Sequence, residues 1–130
     1  MPNYWLVKTE PATYSLADLE REGETRWTGV ANPVARGHLR AMAEGDEVFV
    51  YHTGNERRIV GIAVVTEAGE EPKLGYRKQL PRPVPLAEIK GRKEFADWEL
   101  VRQGRLSVMP VNAARWQLLL RAGAMPVKNS

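Results

Sequence analysis

Val48-Phe49-Val50-Tyr51-His52, then Gly54-Asn55, then Ile59-Val60-Gly61-Ile62-Ala63-Val64-Val65-Thr66 is the stretch on which the fold turns. Two runs of β-branched and aromatic residues flank a Gly-Asn reversal, the pattern of a β-hairpin. Gly45-Asp46 is the turn that leads into it. Upstream, Asn32-Pro33 places a capping side chain before a proline at the first helical turn, so a helix is expected through Met42. Its inner face carries Ala35, Leu39 and Met42, and Arg36 and Arg40 share a neighbouring face. Arg26-Trp27-Thr28-Gly29-Val30 is a short aromatic, loop-like segment. Ser15 and Asp18 frame the start of a short helix with Leu16 and Leu19 inward, which Gly23 ends. Tyr4 to Lys8 reads as a first strand, stopped by Glu10-Pro11 because proline biases its predecessor away from helix and lacks an N–H.

Downstream of the hairpin, residues 68 to 85 are rich in Gly, Pro and charge, with a strand expected over Leu74 to Leu80. Leu86 to Lys90 and Glu94 to Arg102 read as helical turns, and Leu106 to Met109 as a short strand. Asn112 then caps a last helix with Trp116, Leu119 and Leu120 inward and Gly123 as its stop. Residues 125 to 130 read as frayed. There is no repeat or heptad. Short strands with helices between them predict an α+β fold around a small mixed or antiparallel barrel, as one domain over residues 1 to 130.

A length of 130 residues suits one core burying roughly two-thirds of the surface the unfolded chain exposes. With Cys 0, disulfides, thiolate metal sites and cysteine nucleophiles are excluded. No run approaches the ~20 apolar residues of a membrane span, and the N-terminus lacks a basic region followed by an apolar core, so a soluble, cytoplasmic protein is expected. The net charge of +3, mostly arginine on the basic side, permits nucleic acid without requiring it. Two histidines, His38 and His52, and three scattered aspartates suggest no metal site, and no cofactor is expected. No phosphate-binding glycine loop occurs, and Ser107 lacks the glycines of a nucleophile elbow.

Trp27 carries two readings. An indole in a loop offers a flat face for stacking a base, and a tryptophan is also a common core residue. Lys8, Thr9 and Glu10 end the first strand, where side chains project into a pocket at a barrel mouth or form surface ion pairs. Arg36, Arg40, Arg102 and Arg105 fit either a basic rim holding phosphates or a solvated surface.

Five ordered blocks carry a resemblance: Tyr4-Trp5-Leu6-Val7-Lys8-Thr9-Glu10-Pro11, Trp27-Thr28-Gly29-Val30-Ala31-Asn32, Leu39-Arg40-Ala41-Met42 to Gly45-Asp46, Tyr51-His52-Thr53, and Leu100 to Val111. Together, over about residues 3 to 121, they resemble the EVE domain family. The resemblance implies a PUA-like fold, a small β-barrel with inserted helices, and kinship with YTH domains, which hold a methylated base in an aromatic cage. It implies a non-catalytic domain that reads a modified cytosine or adenine in DNA or RNA. Carried over, Trp27 is a cage wall, Lys8, Thr9 and Glu10 line the floor or read a base edge, and Gly29, Val30 and Asn32 close one side. Tyr51, His52 and Ser107 complete the rim, and Arg36, Arg40, Arg102 and Arg105 hold phosphates. Where the family pattern has Arg after Gly-Val and an aromatic after Asn, this chain has Ala31 and Pro33. Two alternatives stand beside this reading: a small amidohydrolase acting on acylated nucleosides through Lys8, Thr9 and Glu10, and a protein-interaction module with a vestigial pocket.

Overall fold

The structure, a computed structural model, describes residues 3–124; the tail expected to fray from Met125 lies outside them. Its elements in chain order are β1 (Tyr4–Thr9), α1 (Leu16–Glu22), β2 (Glu24–Arg26), α2 (Pro33–Ala41), β3 (Glu47–His52), β4 (Arg58–Glu67), β5 (Lys73–Pro85), α3 (Leu86–Lys90), α4 (Glu99–Arg102), β6 (Val108–Val111) and α5 (Ala113–Ala124). The hairpin expected over residues 48 to 66 is the antiparallel pair β3–β4 at the centre of one six-stranded sheet, ordered β2-β5-β4-β3-β1-β6. β1 lies parallel to β3 and antiparallel to β6. The sheet curls into a half-barrel whose edge strands are β2 and β6, so the expected α+β barrel with inserted helices is met in open form.

Period-2 alternation assigns the two faces. Tyr4 and Phe49 share one face, where the indole of Trp116 on α5 stacks between them, with centroid distances of 4.5 Å to Tyr4 and 3.9 Å to Phe49. Trp5, Val50 and His52 share the other, covered by α1 and α2. Burial on both sides explains why β1 and β3 read as nearly unbroken apolar runs. Ser15 caps α1 through a reciprocal pair with Asp18, and Asn32 Oδ1 caps α2 by accepting from Val34 and Ala35.

Three expectations need correction. β5 runs beyond Leu80 through Pro81, Pro83 and Pro85; these alternate, so their missing N–H groups fall on one side, and β2 pairs only with Lys73 to Gly75, which leaves that stretch an edge. The helical turns over Glu94 to Arg102 are a 3₁₀ turn (Lys93–Phe95) and α4, split at Trp98, whose ring is fully buried and donates to the Pro110 carbonyl at 3.0 Å. Gly123 does not stop α5 but lies inside it, and its lack of a side chain admits Leu80 of β5, which would stand 2.9 Å from a Cβ there.

The only buried carboxylate among the described residues is Asp46. It accepts hydrogen bonds from the Asn3 N–H at 3.1 Å, the Trp5 indole at 2.9 Å and the Ala43 N–H at 3.0 Å. These bonds tie the start of β1 to the residue that precedes β3. Replacing Asp46 by Ala strands three donors, and the expected loss is about 2–4 kcal/mol of stability. Asp46→Asn, which retains one oxygen, loses less. Urea unfolding checks both, and an unchanged midpoint for Asp46→Ala would refute the assignment.

Candidate functional site

A cavity of about 520 Å³ opens between the two sheet edges. The end of β1 supplies Lys8, Thr9 and Glu10, β2 supplies Thr25 and Arg26, the loop after it supplies Trp27 to Ala31, and Ser107 enters just before β6. The half-barrel explains the void: Trp27 N–H is tied to the Pro72 carbonyl and Ser107 accepts from Lys8 N–H, each at 2.9 Å, so the β2 and β6 ends are held and the space between them stays open. Gly29, at φ +79°, turns the loop back over the opening.

Of the residues assigned to the pocket by resemblance, Lys8, Thr9, Glu10, Trp27, Gly29, Val30 and Ser107 line this cavity. Adjacent strand residues point to opposite faces, yet these three share a pocket because β1 ends at Thr9. Trp27 is 7% exposed within the core cluster, and it also lines the cavity.

Asn32, Tyr51 and His52, expected to close the pocket and complete its rim, do not line this cavity. Asn32 spends its oxygen on the α2 cap. Tyr51 lies buried beneath Lys8, whose Nζ is 5.6 Å from its ring centroid. His52 is buried at the start of α1: Nε2 accepts the Leu16 N–H at 3.1 Å and Nδ1 pairs with Glu56 at 2.9 Å. It thereby holds the N-terminus of α1.

The residue that sequence reasoning missed is Tyr14. The turn after Glu10-Pro11 brings it back, its N–H bonding the Glu10 carbonyl at 2.8 Å, and its ring stands at 84° to Trp27 with centroids 6.2 Å apart. The available signal was an aromatic beside the Ser15 cap, which reads as packing. Thr13, Thr25, Arg26, Thr28 and Ala31 also line the cavity unanticipated. Arg26 is held by Glu67 at 2.9 Å and by the Glu71 carbonyl at 2.8 Å.

The polar groups have defined partners. Thr9 Oγ1 donates to the Tyr14 carbonyl at 2.7 Å, Lys8 Nζ donates to the Gly104 carbonyl at 2.9 Å, and Glu10 accepts from Ala12 N–H at 3.2 Å and Thr53 Oγ1 at 3.3 Å. Burial holds the Lys8 ammonium below its usual pKa. The Thr9 hydroxyl proton is committed to a backbone carbonyl. Glu10 keeps acceptor capacity and Lys8 donor capacity, a pair suited to the edge of a heterocycle. The four arginines expected to hold phosphate are all exposed. Arg105 lines a smaller hollow next to the cavity, Arg40 pairs with Glu70 at 3.5 Å, and Arg36 and Arg102 line neither.

Comparison with known proteins places this geometry. The sequence pattern of the EVE domain matches residues 3–75 and 72–122. Human thymocyte nuclear protein 1 is 27% identical over 142 residues, which cover 99% of this chain and 63% of that protein, so the chain spans less than two-thirds of that relative. A solved protein from Agrobacterium tumefaciens superposes with a TM-score of 0.90 at 32% identity, covering 95% of this chain and 96% of that one. The human THYN1 protein, solved in complex with 5-methylcytosine containing DNA, superposes with a TM-score of 0.88 at 23% identity, covering 96% and 99%. These neighbours share the PUA-like fold.

The cavity's aromatic corner has a measurable signature. Burial and then the hydrogen bond from Tyr14 to Glu22 at 2.8 Å favour the neutral phenol, and its pKa is pushed up from 10.0 to about 12. Because the folded value is raised, the stabilisation is complete below pH 10.0 and is lost as the pH rises through about 12. Phenolate absorbance is expected to show a step near 12 that Tyr14→Phe removes. A Tyr14 step at the ordinary value would contradict the packing described.

Proposed function

On the premise that this chain belongs to the EVE domain family, we propose that it binds nucleic acid and reads a modified base, a modified cytosine first, turned out of the strand into the cavity between β1, β2 and Ser107. The observation that carries this reading is the corner made by Tyr14 and Trp27, two rings at 84° lining a cavity that also holds Lys8 and Glu10. A turned-out base packs its flat surface on one ring and its edge on the other. Glu10 accepts from the exocyclic amine of cytosine, Lys8 donates to its ring carbonyl or nitrogen, and Val30 and Ala31 offer an apolar niche for a methyl. The human relative solved with 5-methylcytosine containing DNA supports cytosine as the base and DNA as its carrier.

One stacked base contributes roughly 1–3 kcal/mol, so affinity for a strand needs phosphate contacts as well. Arg105, beside the cavity, is the first such contact, with Arg36, Arg40 and Arg102 on the surrounding surface. The reading is of a binding domain without catalysis. A second reading, hydrolysis of an acylated nucleoside, draws on Lys8, Thr9 and Glu10 lining one cavity, and the hydrogen bond from Thr9 to Tyr14 ranks it below the first. Release of acetate from acetylcytidine, lost in Lys8→Ala, would reverse that order.

Titration with single-stranded oligonucleotides, each carrying one modified base and matched to an unmodified control, tests the proposal. Selective binding of one modification is expected, weakened about tenfold or more in Tyr14→Ala, the equivalent of one stacked base. Arg105→Ala should weaken modified and control strands alike and lower the salt slope by about one. Equal binding of modified and control strands would overturn the reading.

A further inference from the structure

A second hollow of about 290 Å³ adjoins the first, lined by Asn32, Val34, Gln103, Gly104, Arg105 and Leu106. In two places neighbouring residues divide between the hollows: Ala31 lines the first and Asn32 the second, and Ser107 lines the first and Leu106 the second. Lys8 crosses between them, lining the first cavity while its Nζ donates to the Gly104 carbonyl of the second at 2.9 Å.

The chemistry of this hollow is one-sided. No carboxylate lines it. Asn32 Oδ1 is committed to the Val34 and Ala35 N–H groups, which leaves its amide N–H₂ to donate outward. Gln103 and Arg105 are exposed, and Arg105 enters none of the ion pairs among the described residues. Beside these donors stands Val34, 56% exposed and the one large hydrophobic side chain left exposed among the described residues. Donors without acids match a phosphate, and an apolar side chain next to them matches the face of a sugar or base.

We propose that this hollow is a second subsite, which holds the nucleotide adjacent to the turned-out base, its phosphate against Arg105 and its base on Val34. The inference rests on the base-reading function proposed above and deepens it. A base turned into the first cavity leaves its own sugar at the mouth, and the next nucleotide along the strand must come down within reach of that mouth. Past Ala31–Asn32 and Leu106–Ser107 the chain leads from that cavity to a donor-lined hollow. The subsite gives the protein a polarity on the strand: a neighbour on one side is gripped and a neighbour on the other is not.

The test uses the full chain and short single-stranded DNA with one central 5-methylcytosine, intact or with an abasic residue immediately 5′ or immediately 3′ of it, in wild type, Val34→Asp and Arg105→Ala. Val34 and Arg105 are exposed, so neither variant disturbs the core. The abasic residue on one side is expected to weaken wild-type binding about fivefold or more and on the other side hardly at all. Val34→Asp should weaken the intact strand by a similar factor and remove the sensitivity to the abasic residue, the non-additivity of two groups in contact. Indifference to both abasic positions, or an undiminished effect in Val34→Asp and Arg105→Ala, overturns the subsite. If preference for methylated over unmethylated strands persists in that case, the base-reading function stands without it. Loss of that preference in wild type defeats both.

Discussion

The hydrogen bonds into Asp46 fix the register on which the site depends. Its carboxylate, 3% exposed, receives the backbone of Asn3 and the indole of Trp5 from one strand and the backbone of Ala43 from the turn before another. A buried carboxylate without those donors would be costly, so the start of β1 is clamped to the start of β3 with Tyr4 opposite Glu47 and Thr9 opposite His52. A slip of one residue would turn every side chain of β1 to the other face. Lys8 would leave the Gly104 carbonyl, Thr9 would leave Tyr14, and the strand would end at a different point under the cavity.

From that register follows the relation between openness and function. A closed barrel would satisfy both edge strands and fill its interior with side chains. Here β2 and β6 stop short of one another, and the space between them is lined from four stretches of the chain. What lines it is not uniformly apolar. Two rings at right angles, an exposed carboxylate, an ammonium with its pKa lowered by burial, and small apolar residues on a glycine turn are the groups on which the proposed reading of a flat base with a polar edge draws.

Much of this was legible in the sequence, for local reasons. Ser15 with Asp18, Asn32 with Pro33, and Gly54-Asn55 between two apolar runs are signals that act within a few residues, and each marked the element the structure contains. The unexpected features depend on partners far along the chain. β5 continues through three prolines only because β2 is too short to need their N–H groups. Gly123 is a glycine within α5 where Leu80 packs too close for a side chain, not a stop signal. In the site, motif position was enough for Trp27 and the end of β1, but not for orientation: Tyr51 and His52 adjoin the pocket in the register yet face Lys8 and α1. Tyr14 was invisible because its role comes from a turn that folds it back against Trp27, and Arg36 and Arg40 share a helix face without sharing the cavity.

The central claim is that Trp27 and Tyr14 receive the modified base, and the indole N–H resonances of the four tryptophans test it directly. Trp5 and Trp98 donate to Asp46 and the Pro110 carbonyl, and Trp116 is stacked in the core, so those three are held by the fold. On addition of a single-stranded oligonucleotide containing 5-methylcytosine, the account predicts that the Trp27 resonance moves while the others stay, and that an unmethylated strand moves it less. Shifts confined to the other tryptophans, or identical Trp27 shifts with both strands, would contradict it.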